Sequence, residues 1–72
     1  MLNDSELATW VARIESEYRE MPGLLLTEPQ MQRLWGLDRN TCETVLRVLV
    51  SRHVLVKTQR DAYARADGLV SV

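Results

Sequence analysis

The chain has 72 residues, 46% of them hydrophobic and 26% charged, with a net charge of −1. That length suits one domain near the size at which a single core only just suffices, and the composition excludes a disordered or low-complexity chain. There is no Phe, so Leu, Val, Met and two Trp must supply the core, and the lone Cys42 cannot close an internal disulfide.

One cysteine gives no argument for an oxidising compartment. The opening stretch "MLNDSELATW" is acidic and lacks a basic region followed by an apolar run, so it does not read as a signal peptide. No apolar run approaches the roughly 20 residues that span a bilayer. A soluble, cytoplasmic protein is the expectation. The small net charge hides a division along the chain. Residues 1–28 hold six carboxylates against two arginines, giving −4; residues 29–66 hold six arginines and one lysine against three carboxylates, giving +4. Asp67 supplies the remaining −1. The chain is acidic first and basic second.

Leu7, Trp10, Val11, Ile14, Tyr18 and Met21 follow the spacing of an amphipathic helix, predicted from about Asp4 to Glu20. Asn3 can cap it, with Glu6 three residues on as the reciprocal partner, and Pro22–Gly23 ends it. "LLLT" at 24–27 is too short for a helix and reads as a brief strand. Thr27 then caps a second helix, with Gln30 in the reciprocal position, Pro29 in the first turn, and Met31, Leu34 and Trp35 as its apolar face. Gly36 suits a left-handed residue at the helix end. Asp38 caps a third helix, Arg39 to about Arg52, with Cys42, Val45, Leu46 and Leu49 on one side and Asn40, Thr44, Arg47 and Ser51 on the other. After His53 the pattern changes to "VLVKT", "QRD" and "AYARA", which predicts two short strands joined by a tight turn without glycine.

The inventory offers no catalytic set. No Gly-rich phosphate loop, Ser–His–Asp arrangement or poised carboxylate pair can be assembled, so no enzyme and no cofactor is expected. His53 has no second ligand at metal spacing. Cys42, Trp10 and Trp35 read as packing residues.

Over "MQRLWGLDRNTCETVLRVLVSRHVLV" the chain resembles a winged helix-turn-helix domain of the bacterial transcriptional regulator kind. Gly36 stands at the turn, Met31 and Trp35 before it and Leu37 after, with Cys42 and Val45 at the two buried places of the following helix. The order of elements extends the likeness over residues 5–66. Gln32 stands where the family prefers a small residue, and His53 where many members have glycine. The resemblance implies an α+β fold of three helices and a small three-stranded antiparallel sheet, ordered helix-strand-helix-helix-strand-strand. It makes 1–72 a single domain, with the helix-turn-helix at 28–52 and the wing hairpin at 54–66.

It further implies double-stranded DNA as the partner, with helix 39–52 in the major groove. Asn40, Thr44 and Arg47 would face bases; Arg39, Thr41, Lys57 and Arg60 would hold phosphates; Glu43 would accept from cytosine or repel the backbone. A homodimer through the first helix, using Trp10 and Tyr18, is expected because a half-site reader with few basic residues gains from a twofold partner. No membrane and no small-molecule ligand is indicated. The other reading is a winged-helix module that contacts protein and has no DNA function.

Overall fold

A computed structural model describes residues 3–66. The remainder of the expected domain 1–72, with Asp67, lies outside the described residues. These form a small α+β fold with the order α1 (Asp4–Glu20), β1 (Leu26–Thr27), α2 (Glu28–Trp35), α3 (Arg39–Ser51), β2 (Leu55–Lys57) and β3 (Ala62–Arg65). The sheet is antiparallel throughout, in the order β1-β3-β2.

The first helix starts as its cap residues dictate. The Glu6 N–H donates to Asn3 Oδ1 at 2.8 Å, and the Asn3 N–H donates to Glu6 Oε1 at 3.2 Å. Two of the donors that a helix start leaves unmatched are thereby satisfied. Val11, Ile14 and Tyr18 are its buried stripe. Met21 does not extend that stripe: it is the C-cap, just past the last turn, and is 46% exposed.

Strand β1 is shorter than the expected 24–27. The Leu24 N–H closes a turn onto the Met21 carbonyl at 2.9 Å, and Leu25 is exposed. Ladder pairing therefore begins only at Leu26, opposite Tyr63, and ends at Thr27, opposite Ala62. Thr27 is at once the end of a strand and the start of a helix. Its hydroxyl accepts from the Gln30 N–H at 3.3 Å, and its own N–H donates to Gln30 Oε1 at 2.8 Å.

In α2 only Met31 is fully buried, and Trp35 is half-buried. Leu34, expected on the apolar face, is 58% exposed. With 100° per residue, Leu34 and Trp35 lie on opposite sides of Met31, and this short helix turns the Trp35 side inward. Gly36 then takes φ 64°, and the Leu37 N–H reaches back to the Gln32 carbonyl at 3.0 Å. Leu37 is thereby folded under as a core residue.

All four apolar residues assigned to the inner side of α3, Cys42, Val45, Leu46 and Leu49, are buried. The helix ends in a Schellman motif: the Val54 N–H donates to the Leu49 carbonyl at 2.9 Å and the His53 N–H to the Val50 carbonyl at 3.0 Å. His53 holds the left-handed position, φ 61°, that glycine usually fills. The β2–β3 turn uses the same device, with Asp61 at φ 61° and the Thr58 N–H donating to the Ala62 carbonyl at 2.7 Å. One apolar cluster joins Tyr18 from α1, Met31 from α2, Val45 and Leu49 from α3 and Leu55 from β2. Among the described residues, no helix is long and apolar enough to cross a membrane.

Candidate functional site

The turn between α2 and α3 positions everything that follows. Gly36 and Leu37 bring the chain round, and Asp38 starts α3 by accepting from the Thr41 N–H at 3.2 Å. Thr41, through its side chain and then its N–H, holds the exposed Asp38 carboxyl below the usual carboxylate range. The inner stripe of α3 anchors it on the core, leaving its outer side as a ridge between two clefts.

The cleft on the α1 side, about 650 Å³, is lined by Asn40, Thr41 and Thr44 of α3 and faced by Glu6 and Trp10 of α1. The Trp10 ring also carries the Arg13 guanidinium, 5.1 Å from its centroid. The cleft on the sheet side, about 300 Å³, is lined by Glu43, Arg47 and Val50 of α3, with Lys57 and Tyr63 opposite. Asn40 and Thr44 line one cleft and Arg47 the other, while at 100° per residue all three stay within about 60° of arc on the outer face of α3.

Each expected site residue has a definite neighbourhood. Arg39 is 81% exposed, and its Nε pairs with Glu43 Oε2 at 3.0 Å. Asn40 and Arg47 are exposed, and among the described residues Arg47 has no ion pair. The Thr44 hydroxyl donates to the Asn40 carbonyl at 2.9 Å. Lys57 Nζ lies 3.5 Å from Asp61 Oδ1. Arg60 sits exposed in the β2–β3 turn, with its backbone N–H on Thr58 Oγ1 at 3.3 Å. With its two caps, α3 and the hairpin carry six cations (Arg39, Arg47, Arg52, Lys57, Arg60, Arg65) and three carboxylates (Asp38, Glu43, Asp61), and Glu28 of α2 lines the sheet-side cleft as well. The basic surplus of residues 29–66 is partly offset there, because Arg39 and Lys57 are held in ion pairs.

Glu28 is the residue that sequence reasoning passed over. It opens α2, where a carboxylate suits the helix dipole, yet its side chain lines the cleft beside Arg47 and Lys57. Its Oε2 is buried without a hydrogen-bond partner. The first-turn position was legible; the approach to α3 is a tertiary fact with no local signal. Cys42, by contrast, is as inert as its pattern suggests. Burial, reinforced by the nearby carboxylates of Glu28, Glu43 and Asp38, pushes its thiol up to about 11, well above the range of reactive thiolates.

Tyr18, expected on a dimer surface, is fully buried, and its hydroxyl donates to the Tyr63 carbonyl at 2.8 Å. It ties α1 to the central strand and presents nothing outward. Among the described residues no group of three or more His, Cys, Asp or Glu is placed to hold a metal ion. Comparison with family models, curated proteins and solved structures finds no match to this chain.

Proposed function

We propose that the chain is a winged helix-turn-helix module that reads duplex DNA with α3, as part of a small cytoplasmic transcriptional regulator of bacterial type. One observation carries this reading: α3 buries one side in the core and keeps Arg39, Asn40 and Arg47 exposed on the other, with a cleft on each flank. A 13-residue helix is about 20 Å long and, with side chains, about as wide as the roughly 12 Å major groove. Clefts on both sides leave room for the two phosphate strands. Asn40 suits adenine and Arg47 suits guanine, each by paired hydrogen bonds. Arg39 and Arg60 would hold phosphates. The sheet-side cleft, with Lys57 and Arg47, favours a phosphate strand more than the α1-side cleft, which carries Glu6 and Asp38.

Two copies would read two half-sites, with α1 as the meeting element through Trp10 and the exposed Ala8 and Ala12, since Tyr18 is taken by the core. A second reading, a winged-helix module that docks on protein, is favoured by the sheet-side cleft, where Glu28 and Glu43 stand against Arg47 and Lys57.

The deciding experiment selects duplex sites from a random pool at moderate salt, then compares two variants. Arg47→Ala is expected to cost about 1–3 kcal/mol at the selected site and to relax preference at one base position. Arg60→Ala is expected to weaken all sequences alike and to lower the salt slope by about 1. Circular dichroism checks that both remain folded. Equal, weak binding of wild type and both variants to every duplex would move the function to the protein-docking reading.

A further inference from the structure

The ion pair on the first turn of α3 is weakly built. Arg39 precedes Glu43 by four residues, the less favourable order for a helical pair, and it sits at the positive end of the helix dipole. The acidic group at that helix end is the N-cap Asp38, whose carboxylate accepts from the Thr41 N–H. Both side chains are well exposed, at 81% and 41%. Such a contact exchanges readily for a better one. Glu43 also lines the sheet-side cleft beside Arg47, one turn along the same ridge. It is therefore within reach of whatever Arg47 meets.

Resting on the DNA reading above, we propose that Glu43 is a specificity-determining residue with two alternative partners. Away from its proper site it holds Arg39 and withholds that cation from phosphates. At its proper site it turns to accept a hydrogen bond from the amino group of a cytosine adjoining the Arg47 contact, and Arg39 is released to the backbone. A carboxylate at this place then does two things at once. It lowers affinity for arbitrary duplex, because one cation is neutralised and one negative charge faces the phosphates. It rewards one base pair, because the cytosine amino group is a donor in the major groove, guanine and thymine offer only acceptors there, and adenine sets an N7 acceptor beside its amino group. Specificity is a difference of affinities, and this residue widens it from both sides.

The face around it makes the restraint effective. Lys57 is similarly matched by Asp61, and Glu28 adds a further carboxylate to the wall of the cleft. With Arg39 and Lys57 both paired, Arg47 and Arg60 are the expected contact cations left without an ion pair among the described residues, so one freed arginine is a large fractional change.

The test uses the full chain with Glu43→Ala, which keeps a strong helix former at the position. Arg39→Ala and the double variant complete the set, with circular dichroism as the folding control. Binding is measured to the selected site, to that site with the relevant cytosine exchanged, and to random duplex. Glu43→Ala is expected to tighten random duplex about eightfold at 0.1 M salt, the factor that one added phosphate contact contributes, and to steepen the salt slope by about 0.9. At the selected site it is expected to gain nothing, and the tenfold or greater preference for cytosine is expected to disappear. In the Arg39→Ala background the gain on random duplex should shrink to the smaller part that comes from removing the Glu43 charge itself, and the salt slope should no longer steepen by about 0.9. Equal tightening on all three duplexes, a gain undiminished by Arg39→Ala, or an unchanged cytosine preference would each overturn the proposal. Wild type that binds no duplex at all would overturn the DNA reading itself and this inference with it.

Discussion

Tyr18 shows how one side chain can be read correctly for periodicity and wrongly for role. Its spacing from Val11 and Ile14 marks it as apolar-stripe, and it is fully buried. What the stripe does not reveal is that its hydroxyl reaches the Tyr63 carbonyl, 45 residues away, at 2.8 Å. Burial pushes the phenol far above its ordinary range, so it stays a neutral donor at any practical pH. Removing the hydroxyl takes one part-buried hydrogen bond from the Tyr63 carbonyl, a residue that the sheet pairs on both sides. Tyr18→Phe is therefore expected to lose about 0.5–1.5 kcal/mol of stability with its ring packing intact, measured by urea denaturation. A loss below about 0.3 kcal/mol would mean that water replaces the hydroxyl and that the bond is not sealed. The same tie explains why Tyr18 is unavailable to a dimer surface.

At the scale of elements, the parts legible in the sequence are those that local chemistry decides. Asn3, Thr27 and Asp38 each cap the helix they precede, because a short polar side chain followed by helix-forming residues satisfies free N–H groups within one turn. Gly36 turns left-handed where the pattern requires it. The inner stripe of α3 is buried residue for residue. The failures are positions that tertiary contact decides: Leu25 and Leu34 face outward, and β1 is trimmed to the two residues that β3 can pair. Nothing in "LLLT" says which of its amides a turn will take. His53 lies between these cases. Its place marked it as one that glycine often fills, and the structure gives it the left-handed backbone of a Schellman motif. A side chain there costs roughly 1–2 kcal/mol in strain, offset in part by the extra freedom that glycine has in the unfolded chain. His53→Gly is expected to stabilise the protein by about 0.5–1 kcal/mol, a rise of several degrees in Tm for a domain of this size. Thermal unfolding followed at 222 nm reads it directly. No gain would show that the histidine side chain makes a compensating contact.

Over the whole molecule, the question is how a chain of net charge −1 approaches a polyanion. The sequence shows the division into an acidic first part and a basic second part, and α1 indeed carries acid on its outer side with Glu6 in the cleft beside α3. It does not show that two cations of the basic part, Arg39 and Lys57, are held in ion pairs. The Arg39–Glu43 pair follows from helical spacing, but the Lys57–Asp61 contact depends on how the hairpin turns, and Glu28 arrives from another helix. Of the four cations expected to contact DNA (Arg39, Arg47, Lys57, Arg60), Arg47 and Arg60 lack an ion pair among the described residues. On random duplex, where nothing repays breaking the pairs, about two phosphates per chain should be neutralised, and log K should fall with log salt at a slope of about −1.8. Full engagement of all four cations would give about −3.6. The measurement is fluorescence anisotropy on a labelled random duplex from 25 to about 200 mM salt, with sedimentation in the same buffers fixing the number of chains bound. A slope per chain near −3.6 would show that the carboxylates do not hold their partners, removing the physical basis for a restrained face. A slope near zero would show that the ridge does not meet phosphates, and the balanced charges would then belong to a protein surface. A slope near −1.8 would leave discrimination between sites to the outer side of α3, where Asn40, Glu43, Thr44 and Arg47 stand.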